Sequence, residues 1–217
     1  MRLDNFIKEG TTEQYKGVPV DDIPVEDLWI AMSKGNKKLD KKIKTFNLPA
    51  IKSCLNSGEC AKFCYARKAE WLYPGTRDSR NRNWRLAKEN TKLLKTLILK
   101  QIKKEDVIRI HEAGDFISQD YIDMWTEIAK ERPNNIFYGY TKVFSMFDFT
   151  KLQALPNVNI INSLPGGMKN FGKEEEITIR AKEMGVPLCP CKKGNDVHCG
   201  VDCSICWTEP VVLFIQH

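Results

Sequence analysis

Three cysteines within eleven residues, Cys54, Cys60 and Cys64, constrain this chain more than any other feature of its sequence. They follow the strand-like run IKTFNL in the segment KIKTFNLPAIKSCLNSGECAKFCYA (residues 42 to 66) and are spaced CxxxxxCxxxC. A loop leaving a strand can curl its thiolates toward one point, which suits a metal ion or an iron–sulfur cluster. A helix starting near Gly58 would set Cys60 and Cys64 one turn apart on the same face. Free cysteines also serve as small core residues. Here Asn56, Ser57, Gly58, Glu59 and Lys62 make the segment polar, so the ligand reading leads.

The other five of the eight cysteines, Cys189, Cys191, Cys199, Cys203 and Cys206, crowd into eighteen residues together with His198. Their CxC and CxxC spacings suit zinc as well as a cluster. No apolar N-terminal signal precedes them, since MRLDNFIKEG is polar, so a reducing, cytoplasmic setting is expected and a disulfide framework is not. No apolar run approaches the length of a membrane span, and no membrane partner is expected. The formal net charge of +6 leaves nucleic acid possible without requiring it, because each metal-bound thiolate subtracts a charge.

A chain of 217 residues, 42% hydrophobic and 29% charged, is the size of one domain with a substantial core. Turn residues Gly10, Gly17, Pro19 and Pro24 punctuate a lead-in over 1–40, whose cluster Leu28, Trp29, Ile30 and Met32 is read as a short packing helix. Short apolar runs at 43–48, 107–111, 136–141, 158–162, 186–188 and 211–215 read as strands, with helical segments between most of them. A long helix is expected from about Thr76 to Lys104, one capped by Ser118 that ends at Pro133, a short one over 148–155, and one over 173–184 closed by Gly185. This alternation predicts an α/β fold: a partial (β/α)6 TIM-like barrel over 41–188, a C-terminal cysteine-rich metal-binding loop at 189–210 and a last strand at 211–217.

In parallel α/β folds, function gathers at the carboxyl ends of the strands. That edge is expected to hold the first cysteines, then His111, Glu112 and Asp115, then Thr141 and Lys142, then Asn162, Ser163, Gly166 and Gly167, then Cys189 and Cys191. His111 suits a general base or a ligand, and equally a hydrogen-bonded structural histidine. Asp115 can cap the next helix, and Lys142 can bind a carboxylate or phosphate or stay solvated. The basic residues Arg77, Arg80, Arg82, Arg85, Lys88, Lys92 and Lys95 read first as a solvated helix face. His217 has no expected catalytic part. No Ser-His-Asp pattern, phosphate-binding Gly-Lys-Ser loop or dinucleotide fingerprint is present.

The runs KLDKKIKTFNLPAIKSC, CAKFCYARK, RIHEAGDFISQDYIDMW, FYGYTK and HCGVDCSICW, with the closing FIQH, resemble in that order the phage-encoded gene product 88 family over about residues 34–217. This resemblance implies a phage or prophage origin and supplies no reaction. CAKFCYA and HEAGDF are more distantly similar to radical SAM enzymes. That resemblance implies a [4Fe-4S] cluster on Cys54, Cys60 and Cys64 with S-adenosylmethionine on the open iron. It further implies Glu112 or Asp115 at the ligand's amine and Asn162 or Ser163 at its ribose, with His111 and Lys142 as further catalytic candidates. Those enzymes usually space the loop CxxxCxxC, which occurs here at Cys199, Cys203 and Cys206. Too little chain follows Cys206 to build a barrel, so the open cluster is assigned to the first loop. The second group is expected to hold another cluster or a structural zinc. The expected function is radical chemistry on an unknown small-molecule or macromolecular substrate. The alternative is a metal-stapled, non-enzymatic phage protein that binds nucleic acid or a host protein.

Overall fold

The computed structural model describes residues 13–18, 22–24, 27, 32–33, 38–164, 168–191 and 196–215. Expectations placed on Gly10, Pro19, Leu28, Trp29, Ile30, Gly166, Gly167, Gly194, Asn195 and His217 lie outside the described residues.

The β-branched and aromatic runs pair as a mixed five-stranded sheet in sequence order: β1 (Met32–Ser33), β2 (Ile43–Phe46), β3 (Val107–Ile110), β4 (Ile136–Thr141) and β5 (Val158–Asn162). β2 to β5 run parallel, with Ile43 opposite Val107, Val107 opposite Ile136 and Phe137 opposite Val158. β1 pairs antiparallel with β2, placing Met32 in an edge strand rather than the expected helix.

The helices between the strands are α1 (Tyr65–Leu72), α2 (Pro74–Glu89), α3 (Thr91–Gln101), α4 (Gln119–Glu131) and the short α5 (Thr150–Gln153). The helix expected over 76–104 is broken in two. Asn90 takes a non-helical φ of −156° and its side chain accepts a 2.9 Å hydrogen bond from the Leu93 N–H, ending α2 and capping α3. Pro74 sits in the first turn of α2, where its missing donor costs nothing. Ser118 caps α4 as expected, accepting from the Tyr121 N–H at 3.2 Å.

Side chains alternate across the parallel strands and give the sheet two different faces. Phe46, Ile108, Ile110, Phe137 and Ile160 join Leu94, Leu97 and Ile98 of α3 and Tyr121, Trp125 and Ile128 of α4 in the main core. Trp125 is fully buried, edge-on to Phe46, Tyr121 and Phe137. The opposite face presents Ile43, Val107 and Tyr138, and what covers it is the C-terminal segment, through Cys199, Cys206 and Trp207.

The expectation of a (β/α)6 TIM-like barrel is therefore corrected to a mixed sheet with four parallel strands. Beyond β5 the chain leaves the sheet. Phe171–Gly172 (β6) precedes α6 (Glu174–Met184) and pairs in parallel with Phe214–Ile215 (β7) as a separate two-stranded sheet. The strand expected at 186–188 is reduced to one parallel bridge, Leu188 with Leu213. Pro187 and Pro190 flank it, and prolines remove the ladder donors a longer strand would need. The expected strand at 211–215 shrinks to β7. Gly185, at a φ of +63°, closes α6 as expected. No helix among the described residues is long and apolar enough to cross a membrane.

Asn90→Ala removes the cap that separates α2 from α3. It should lower stability by about 1 kcal/mol in urea denaturation with the slope unchanged.

Candidate metal and ligand site at the carboxyl edge

One buried amide joins the exits of β2 and β3. The Asn47 Oδ1 accepts from the Glu112 N–H at 2.7 Å and the Ala113 N–H at 3.1 Å, while its Nδ2 donates to Thr45 Oγ1 at 2.9 Å. The Leu48 N–H donates to the Ala113 carbonyl at 3.0 Å, extending the pairing past the strands. Gly114 must pass close to this junction: at φ +89°, a Cβ there would lie 2.6 Å from Leu48 Cβ and from Ser53 Oγ. The cysteine loop then folds back on α1 and α2. Glu70 accepts from the Ala50 N–H at 2.8 Å and pairs with the buried Arg80 at 3.0 Å, and Arg80 also donates to the Ala66 carbonyl.

Cys54, Cys60 and Cys64 all line one cavity of about 210 Å³, together with His111, Glu112 and Asp115. The helix near Gly58 is a 3-10 helix, Gly58–Phe63, and Cys64 lies beyond it in extended backbone. The expected one-turn relation of Cys60 and Cys64 is thus replaced by their sharing a cavity wall. Burial pushes the Cys54 thiol up to about 11. Among the described residues, no group of three or more His, Cys, Asp or Glu side chains is placed to hold a metal ion. The thiols surround a common space without converging on a point.

His111 is buried at a left-handed φ of +67°, a strained conformation for a residue with a Cβ. Its Nε2 shares a 2.9 Å hydrogen bond with the Tyr121 hydroxyl, its Nδ1 has no hydrogen-bond partner, and burial drops its pKa to about 3. The ring is neutral at physiological pH. Asp115 has both oxygens engaged, by the Phe116 N–H at 2.8 Å, the Thr141 hydroxyl at 2.6 Å and the Lys142 N–H at 3.0 Å. It ties β3 to β4 instead of capping α4. Lys142 lines the cavity, and its backbone carbonyl accepts from Asn56 at 2.9 Å. Ser163 is buried and lines the cavity, whereas Asn162 lies outside it and accepts from the Leu164 N–H at 2.8 Å.

The second cysteine group stands next door. Cys189, Cys191, Cys199 and Cys206 line a cavity of about 440 Å³ whose wall of Tyr65, Arg109, Tyr140 and Ser163 is shared with the first. The sulfurs of Cys191 and Cys199 are 3.4 Å apart. Burial pushes the Cys189 and Cys206 thiols up to about 11 and the Cys199 thiol up to about 12. Cys203 is not on the lining, and the half-exposed His198 faces Asp202 at 3.6 Å rather than the thiols. Asn159 on β5 fixes this segment by donating to the Cys206 and Glu209 carbonyls at 2.9 Å each.

A family model described as "Gene product 88" matches residues 30–187. The chain belongs to the gene product 88 family. Similar proteins of that name, "Gene 88 protein", occur in Mycobacterium phage L5 (29% identical over 110 residues, 46% of each chain) and Mycobacterium phage D29 (28% over 112 residues, 46% of this chain and 47% of that one). The chain spans about half the length of these gene product 88 relatives. No solved structure matches it.

Sequence reasoning on this gene product 88 chain missed Asn47, Tyr65, Arg109 and Tyr140. Arg109 packs over the Tyr140 ring at 5.3 Å with its Nε buried and unpartnered, on the wall between the two cavities. Its signal was present: a lone charge inside the apolar strand VIRI.

Gly114→Ala places a side chain in backbone that L-residues avoid and against Leu48. It should cost about 2–3 kcal/mol in chemical denaturation.

Proposed function

We propose that this chain is an iron–sulfur protein whose Cys54, Cys60 and Cys64 hold a [4Fe-4S] cluster and leave one iron for a small molecule, with S-adenosylmethionine as the ligand and radical chemistry on a further substrate as the reaction. The observation that carries this reading is that three thiols from one loop line a single cavity together with the polar residues at the ends of β3, β4 and β5. The donor set fits: soft sulfur ligands are what clusters need, and no residue of the 3-10 helix bearing Cys60 is buried, so the loop can close around its guest. A cluster bound there would supply a one-electron donor and an iron coordination position.

The remaining residues divide the work. Glu112, on the cavity lining, would be the carboxylate for a ligand amine, while Asp115 ties β3 to β4 through both its oxygens. Ser163, on the lining of both cavities, is the hydroxyl for a ribose, since Asn162 is engaged in its own turn. Lys142 offsets negative charge near Cys54. His111, neutral, would hold Tyr121 and offer its free Nδ1 without changing protonation. Cys189, Cys191, Cys199 and Cys206 would hold a second cluster or a zinc ion. The reducing cytoplasm of a host cell is the setting in which such thiols stay ligands.

The non-enzymatic reading on the basic helix face draws less support. Arg80 is buried in its pair with Glu70, Arg85 lies 3.8 Å from Glu89, Lys95 pairs with Glu127 and Glu131, and Lys88 packs over Trp84.

Anaerobic purification followed by iron, sulfide and zinc analysis tests the proposal. Iron with acid-labile sulfide should be found, and one cluster should disappear in Cys54→Ser, Cys60→Ser and Cys64→Ser; zinc without sulfide would refute it. Addition of S-adenosylmethionine to the reduced protein should perturb the electron paramagnetic resonance signal. Metal loading should also depend on pH. Cys54 carries its proton until about 11 and must lose it to ligate, so loading near pH 7 releases that proton. Zinc affinity at this loop, followed with a competing chelator, should rise about tenfold per pH unit for each thiol deprotonated.

A further inference from the structure

Beside the cysteine loop the protein leaves an unusual group of large side chains in water. Phe63 is 65% exposed, Tyr65 61%, Trp71 79% and Tyr73 63%. Grouped exposed aromatics mark interaction surfaces, because water alone gives no reason to keep them there. Phe63, Tyr65 and Trp71 line a groove of about 580 Å³ together with Lys62, Arg67 and Lys68. On α1, Arg67 and Lys68 precede Trp71 by one helical turn and share its face. No carboxylate lines the groove among the described residues. Of the nearby acids, Glu59 pairs at 2.9 Å with Lys62 on the groove lining, and Glu70 is taken by Arg80, so the phosphate role falls to Arg67 and Lys68.

The groove also leads somewhere. Phe63, Cys64 and Tyr65 line both it and the cavity of the first cysteine group. A ligand lying along α1 therefore reaches the cavity mouth.

Aromatic faces and cations sharing one groove match a polymer that carries both π-faces and negative charges. We propose that this groove binds single-stranded nucleic acid, with bases stacked on Trp71, Tyr65 and Phe63 and phosphates against Arg67 and Lys68. A duplex hides its base faces and cannot use the aromatics. An acidic peptide has the charge but no repeating π-face. The site is separate from the basic face of α2 and α3, and it requires no metal.

The test is fluorescence anisotropy of a labelled dT15 oligonucleotide with the full chain, over a range of salt concentrations. Binding should quench tryptophan fluorescence, and the matching duplex should bind at least about tenfold more weakly. Trp71→Ala should weaken dT15 binding about 5- to 160-fold, the range for loss of one stacked base. The double change Arg67→Gln and Lys68→Gln should reduce the slope of log affinity against log salt by about 1.4, the loss of two single-strand phosphate contacts. All three residues are exposed, so circular dichroism should show each variant folded. The proposal is overturned if dT15 does not bind, if duplex binds equally well, or if these variants bind like the parent. Cosedimentation with phosphatidylserine vesicles in the absence of dT15 binding would overturn it in favour of a membrane surface. Cys54→Ser should keep dT15 binding while losing the iron, so failure of the cluster reading and failure of this one give different results.

Discussion

The side chain of Asn47 is the constraint on which the site depends. The turn leaving β3 has two backbone donors beyond the strand ladder, and the amide oxygen from the exit of β2 that accepts from both Glu112 and Ala113 is what keeps the two exits together. A buried N–H without a partner costs about 1–3 kcal/mol, so the junction is fixed rather than merely favoured. Everything carrying chemistry hangs from it. The cysteine loop leaves on one side and the His111 to Asp115 turn on the other, with Gly114 fitted against Leu48 and Ser53 where they meet. Asp115 repeats the device one strand further on, joining the end of β3 to Thr141 and Lys142. The carboxyl edge is thus a chain of side-chain-to-backbone bonds across three strands, and the cavity is the space above it.

Arg109 links this edge to the rest of the molecule. Its neighbours Ile108 and Ile110 point into the helical core, so alternation sends Arg109 to the face covered by the C-terminal segment. There it lies over Tyr140 and borders both cysteine cavities. The same face explains why the two cysteine groups, more than a hundred residues apart, become neighbours. The segment carrying the later group closes over the sheet as a second layer, and Asn159 bonds two of its carbonyls.

Much of this was readable from local pattern. The four parallel strands, the Ser118 cap and the Gly185 terminator follow from periodicity and capping chemistry, which act within a few residues. The failures share another cause. Asn90 was a capping residue hidden within one continuous apolar period, and its local hydrogen bond outweighed the periodicity. Val186–Leu188 had apolar residues suited to a strand but Pro187 within it and Pro190 just after it, and the partner it met was Leu213 rather than β5. Met32 joined an edge because β2 had a free side to pair, a fact about the sheet and not about residue 32. For the site, the polar residues after each strand could be named from the sequence. Which of them faced the cavity could not, because Asn162 and Ser163 are adjacent and differ only in direction. Exposure of Trp71 was equally invisible, since an aromatic in a helix looks the same in sequence whether it faces core or water.

The thiols themselves argue for ligation over nucleophilic catalysis. A reactive cysteine needs its pKa lowered by nearby positive charge, yet burial raises Cys54, Cys189, Cys199 and Cys206. The available cations work in the opposite direction but do not prevail. Lys142 lowers Cys54, and Arg109 lowers Cys199 and Cys206, and each thiol still ends above its ordinary value. A metal centre can reverse this balance, because direct coordination deprotonates a thiol that a cation across a cavity leaves intact. Half-buried or buried, neutral and facing shared space, these four sulfurs are poor nucleophiles on their own, which fits the proposed ligand role better than a catalytic one.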